Sequence, residues 1–260
     1  MNKTTKTYGL LFAATLALAG CGAESSGTSA DEDTSAPPAS ASPAETPSVT
    51  PSEEPSPSES AAAEGGTYTN EDLTALVSSL TDAQGQPLTV VPAEQLDQAL
   101  IQARTLAESA TITPEECSAL ASENLQAPEG STYAAGASQA AEEMTQTTIT
   151  IFSVEDPSVM SDQLTQSQDA ITECTEYDIE FEGETISSTI EALEVETNAE
   201  TSFGAITTQT IGTGESQMIM AVSGVQGNLA VSAVKLGTEI PAEAQEELVQ
   251  LVNDALAAAE

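Results

Sequence analysis

Residues 217–236, "QMIMAVSGVQGNLAVSAVKL", decide the fold class. Two apolar runs, Gln217 to Val225 and Leu229 to Leu236, meet at Gln226-Gly227-Asn228, a tight-turn signal between strand-forming stretches. The segment therefore reads as an antiparallel hairpin. From Met218 to Val222 apolar side chains fall on both sides of the two-residue period, which predicts a central strand covered on both faces.

Outward from this hairpin the same logic extends in both directions. Downstream, Pro241 opens a predicted helix with Ala244, Leu248, Leu251, Val252 and Ala255 on its inner face. Upstream, Ala205 to Ile211 and Thr185 to Ile190 read as strands. Tyr177, Ile179 and Phe181 alternate with acids before a turn at Glu182-Gly183-Glu184. Met144 to Val154 is a further strand. Asp156-Pro157 supplies a cap and a first-turn proline for a helix carrying Met160, Leu164, Ser167, Ile171 and Cys174 on one stripe. Earlier still, Asn70 caps a helix with Leu73, Leu76, Val77 and Leu80 inward, and Pro87 to Val91 is a short apolar segment. A helix from Pro92 places Leu96, Leu100, Ala103 and Ala107 inward, and Thr113-Pro114-Glu115-Glu116 starts another with Cys117 in its first turn. Helices, then strands, then a capping helix predict an α+β domain over 67–260, with a twisted, mostly antiparallel sheet and packed helices.

The N-terminal quarter is different in kind. Lys3 and Lys6 precede a short apolar run, Leu10 to Ala19, and Leu18-Ala19-Gly20-Cys21 resembles the bacterial lipobox. The run is too short to span a bilayer, so residues 1–20 read as a cleaved signal peptide. The resemblance implies diacylglyceryl transfer to the Cys21 thiol and anchoring on the extracytoplasmic face of the cell membrane. Residues 21–66 are Ser, Ala, Thr, Pro, Gly and acid, too poor in apolar surface to order themselves. They predict a disordered tether spanning about 35–40 Å as a flexible coil.

Charge and composition exclude several functions. The chain has 42 acidic and 4 basic residues and no His. Loss of the leader leaves only Arg104 and Lys235 as bases, so nucleic acid is no partner, because its affinity comes from Lys and Arg at phosphates. Without His, Ser-His-Asp and Cys-His catalysis are impossible. Cys117 and Cys174 are expected to pair as a structural disulfide in an exported chain, since no C-x-x-C and no His completes a metal or redox site. Asp31-Glu32-Asp33 lies in the tether and lacks a calcium-loop pattern, and Glu180, Glu182 and Glu184 read as one solvated face. Neither a metal nor a cofactor is expected.

Several of these residues together resemble a known family, the PknH-like extracellular sensor domain. The features are Pro114-x-x-Cys117, Gly130-x-x-Tyr133, the strand ending "TITIF" at Thr148 to Phe152, a helix delivering Cys174, and the closing hairpin and helix from Met218 to Ala259. This chain has cysteines for one of the two disulfides usual in that family, and Ile171 where Trp is common. The resemblance implies helices packed on a twisted antiparallel sheet and a cleft for an unidentified ligand.

The expected function is therefore a membrane-anchored, non-enzymatic, sensor-like or ligand-binding module. Its partner is an unknown small ligand or an envelope protein. A structural or protein-interaction lipoprotein and an enzyme of unrecognised type are the alternatives. Tyr133, after a Gly-Ser loop, is the candidate ligand-binding residue if its ring does not simply pack on the sheet. The Met218/Met220 pair is the other nomination, with a core role the simpler account.

Overall fold

The structure is a computed structural model that describes residues 67–259, apart from 119, 121–129 and 141–143. The lipobox, Cys21 and the tether lie outside the described residues. Nine strands among those residues form one twisted open sheet. They are β1 (Thr89–Val91), β2 (Thr111–Thr113), β3 (Thr132–Ala140), β4 (Thr145–Ser153), β5 (Glu176–Phe181), β6 (Glu184–Leu193), β7 (Thr201–Ile211), β8 (Ser216–Gln226) and β9 (Leu229–Gly237). Their order is β1-β3-β4-β9-β8-β7-β6-β5-β2, with every neighbouring pair antiparallel. The strand that decided the fold class, β8, is the fifth of nine.

Among the described residues, four α-helices accompany the sheet: α1 (Asn70–Ser79), α2 (Ala93–Ser109), α3 (Pro157–Glu173) and α4 (Ala244–Ala258). Side chains opposite one another on antiparallel strands share a face, so the register sorts the sheet into two sides. One side is covered. There α1 and α4 bury Leu73, Val77, Leu248 and Val252 against Ile149, Val222, Val231 and Ala233. Burial of each such aliphatic side chain contributes about 1.5–3 kcal/mol relative to exposure. Gly136 on β3 lets this helix layer come close: a Cβ there would sit 2.5 Å from a Val77 methyl.

The other side is half open. The sequence predicts β8 covered on both faces; the structure corrects this. Met220, Val222 and Gly224 are buried, whereas Ile219, Ala221 and Ser223 keep partial exposure. Strand β9 repeats the pattern, with Val231, Ala233 and Lys235 buried and Ser232, Val234 and Leu236 half buried. Helix α3 covers part of this side, packing Met160 and Leu164 near Val225 and Ala230 and Ile171 near Ile190 and Ala205.

Local chemistry explains the element boundaries. The cap of α1 is Thr69 rather than Asn70, because Thr69 and Asp72 form a reciprocal capping box: the Thr69 hydroxyl accepts from the Asp72 amide at 3.2 Å, and the Asp72 carboxylate accepts from the Thr69 amide at 3.0 Å. Asp156 caps α3, accepting from the Ser158 amide at 3.0 Å, with Pro157 at the first helical position. The last helix starts at Ala244, three residues after Pro241. The predicted start at Thr113–Glu116 is a 3-10 turn, Glu115–Cys117, which runs into helical residues at Ser118 and Leu120. Just before it, the β-branched Thr111–Thr113 pairs with β5.

The three acids read as one face are split. The two-residue turn pairs Phe181 with Glu184 and Glu180 with Thr185, so Glu180 and Glu184 project to opposite sides, while Glu182 sits in the turn at φ 51°. All three are exposed. Cys117 and Cys174 form the expected disulfide, joining the 3-10 turn to the C-cap of α3 with 5.5 Å between Cα atoms.

Candidate functional site

The half-open side is built from successive cross-strand rows. One row runs Gln139, Gln146, Leu236, Ile219, Thr207; the next Ala137, Thr148, Val234, Ala221, Ala205; a third Ala135, Thr150, Ser232, Ser223, Phe203. None of the residues that β3, β4, β9, β8 and β7 present to this side carries a charge. That is unusual in a chain with 42 acids. The acids of β5, Glu176, Asp178 and Glu180, alternate with Tyr177, Ile179 and Phe181 and point away from it.

At the strand ends remote from α3 this surface opens into a cleft of about 800 Å³. Its lining includes Gln139, Gln146 and Gln217 from three strands, Leu236 between them, and Glu184 and Glu215 from two turns at its rim. Glu215 accepts from the Thr213 hydroxyl at 3.1 Å. The Gln217 Nε2 group is buried without a hydrogen-bond partner, a costly state for a donor in the absence of an acceptor. At the opposite end a small cavity of about 100 Å³ lies under α3, between Phe152, Met160, Leu164 and the hydroxyls of Ser223 and Ser232. Those two hydroxyls are hydrogen-bonded to each other at 3.0 Å.

Tyr133 lies on this side, at the edge of the sheet. Its ring is tilted 52° to Phe152, with centroids 6.0 Å apart. Its hydroxyl donates to the Asp97 carboxylate of α2. That hydrogen bond, with partial desolvation and the nearby negative charge, pushes its pKa up to about 12. Tyr133 thus ties α2 to β3 at the end of the sheet away from the carboxamide cleft. Met220 is buried in the covered core, and Met218, on the same side, is half buried. The nominated residues therefore do not converge.

The residues that do converge, Gln139, Gln146 and Gln217, were legible only as a parity signal: uncharged polar residues at one phase of otherwise apolar strands. Sequence reasoning found no reason to single them out, because their partners are distant in the chain. Lys235 lies on the covered side, ion-paired with Glu247 of α4. Among the described residues no three Cys, Asp or Glu side chains come together in a way that could hold a metal ion. No helix among them is long and apolar enough to cross a membrane.

The class defined by this arrangement is an open, entirely antiparallel α+β sheet with helices on both sides, one of which leaves a cleft. Among solved structures, that fold is shared with the extracellular domain of PknH from Mycobacterium tuberculosis. The TM-score is 0.50 at 13% identity, over 74% of this chain and 99% of that one. An uncharacterised protein from Mycobacterium smegmatis gives a TM-score of 0.42 at 14% identity, over 66% of this chain and 85% of that one. No protein-family model matches the chain, and no curated protein matches it by sequence.

Proposed function

We propose that this protein is a non-enzymatic, sensor-like binding module, held on the extracytoplasmic face of the membrane by an acylated Cys21, with the cleft on the half-open side as its ligand site. The observation that carries the reading is the uncharged half-open surface and the 800 Å³ cleft at its end, in a chain otherwise saturated with acid. A surface free of charge and only partly covered by helices is suited to receiving another molecule. The fold shared with the extracellular domain of PknH supports an extracytoplasmic role.

Two measurements test it. Cys21→Ser should move the protein from the membrane fraction to the medium, and intact-mass analysis of the wild type should show acyl chains on Cys21. Retention of the variant in the membrane would refute the anchor. Gln139→Trp places an indole in the cleft from an exposed position on its lining, away from the buried core. Envelope extracts should raise the melting temperature of the wild type but not of this variant. Equal stabilisation of both proteins would refute the cleft as the site.

A further inference from the structure

We infer that the ligand of the cleft is an uncharged glycan, bound through its hydroxyls; this rests on the cleft being a ligand site, as proposed above. An anion finds no partner there. Lys235 is buried on the other side with Glu247, Arg104 is exposed on α2, and neither lines the cavity. The two rim carboxylates, Glu184 and Glu215, would repel a phosphate or a carboxylate.

A lipid chain is also a poor fit. The apolar recess under α3 has a volume of about 100 Å³, too small for an acyl chain, and in the larger cleft the apolar Met144, Ile211 and Leu236 are interspersed with carboxamides, hydroxyls and the carboxylates of Glu184 and Glu215. An extended peptide would seek backbone pairing at a sheet edge. The cleft lies instead across strand ends in the body of the sheet.

What the cleft does offer matches a polyol. Carboxamides and carboxylates are planar groups with two polar atoms side by side, spaced to engage adjacent hydroxyls as donors and acceptors. Three such amides, Gln139, Gln146 and Gln217, and two such carboxylates line one cavity. Leu236 lies among them as an apolar contact for the C–H face of a sugar ring. The unpartnered Gln217 Nε2 is shielded from water, so it reaches a sugar hydroxyl or ring oxygen by a rotation of its side chain towards the cavity. The volume of about 800 Å³ accommodates several sugar residues, so the preferred ligand is an oligosaccharide rather than a monosaccharide.

The test uses the full chain carrying Cys21→Ser and a panel of neutral tetrasaccharides (gluco-, manno-, galacto- and arabino-configured), with tetragalacturonate as the anionic probe. Calorimetry should show saturable one-to-one binding of at least one neutral member and none of the uronate. Gln217→Leu should weaken that binding at least tenfold, and the near-isosteric, uncharged Gln217→Met should weaken it without lowering the melting temperature. Uronate binding as tight as the neutral probes would overturn the inference. So would neutral binding that is indifferent to both Gln217 variants. If no tetrasaccharide binds while an envelope component still stabilises the wild type but not Gln139→Trp, the cleft is a ligand site and the glycan assignment is wrong. If nothing stabilises the protein, both readings fall.

Discussion

Removing either partner of the Lys235–Glu247 ion pair should have sharply unequal effects. Lys235 projects from β9 into the covered core with 3% of its side chain exposed, while Glu247 on α4 keeps 24%. In Glu247→Leu the ammonium group remains buried with its counter-charge gone. A buried charge left without its partner typically costs about 3–5 kcal/mol, and partial solvent access on the Glu247 side reduces this to about 3 kcal/mol. Lys235→Met keeps the aliphatic stem and removes the charge, and Glu247 can turn to water, so the cost should stay below about 1 kcal/mol. In a domain of this size 1 kcal/mol corresponds to roughly 2–4 °C, giving a drop of about 6–12 °C for Glu247→Leu and less than about 4 °C for Lys235→Met. Asp82 lines the same small pocket and could take over as partner, so Asp82→Asn should deepen the loss in the Glu247→Leu background. Thermal and urea unfolding of the Cys21→Ser chain would measure all of these. If Lys235→Met were as destabilising as Glu247→Leu, the account of an asymmetrically buried pair would be wrong.

The remaining predictions concern other parts of the scaffold. Replacing both Cys117 and Cys174 by Ala opens a cross-link between residues 57 apart and should cost about 4 kcal/mol in the chain-entropy account, read as a lower urea midpoint. Gly136→Ala should destabilise by about 1–3 kcal/mol through its clash with Val77, and a double-mutant cycle with Val77→Ala should recover part of the loss. Simple additivity would show that the helix layer does not rest on that glycine. Tyr133, with its folded pKa raised to about 12, supports the native state fully below pH 10; that support fades as pH rises from 10 through about 12, because the unfolded chain ionises first. Burial also raises the pKa of Tyr68 and Tyr177, so the check is a difference: the part of the phenolate absorbance that appears near pH 12 in the wild type should move to lower pH in Asp97→Asn.

Much of the scaffold was written in local pattern. The hairpin of β8 and β9, the strand β4, and the helices α1, α3 and α4 all declared themselves by period, cap or turn, because each buries one well-defined apolar stripe. Strand β3 did not. "TYAAGASQA" is built of small residues, and its strand character comes from pairing with β1 and β4 rather than from propensity. Strand β2 is three residues long and exists only because β5 lies beside it. Helix α2 showed a clear apolar stripe, yet only Leu96 is buried; Leu100, Ala103 and Ala107 are half exposed and Ile101 is 63% exposed. Amphipathicity told which way the helix would face but not how closely anything would approach it. The cleft was the least legible part, since Gln139, Gln146 and Gln217 become neighbours only through the order of β3, β4, β9 and β8.

Helix α2 connects β1 to β2, the two strands at opposite margins of the sheet. Its 17 residues advance about 24 Å, and with the extended connectors Val91 and Ile112 can be at most about 40 Å apart. Followed across the register, Val91 is level with Phe203, and Ile112 is level with Ile211. Laid flat, the width of the sheet and the eight residues from Phe203 to Ile211 would put those corners about 47 Å apart. The chain cannot reach that far, so the sheet has to arch until its corners come within range. Tyr133 and Asp97 show that the chord passes over the half-open side. The length of α2 thus acts as a ruler for the hollow beneath it. One added helical turn would let the corners spread by about 5 Å, widening the space for a ligand without altering any residue that lines it.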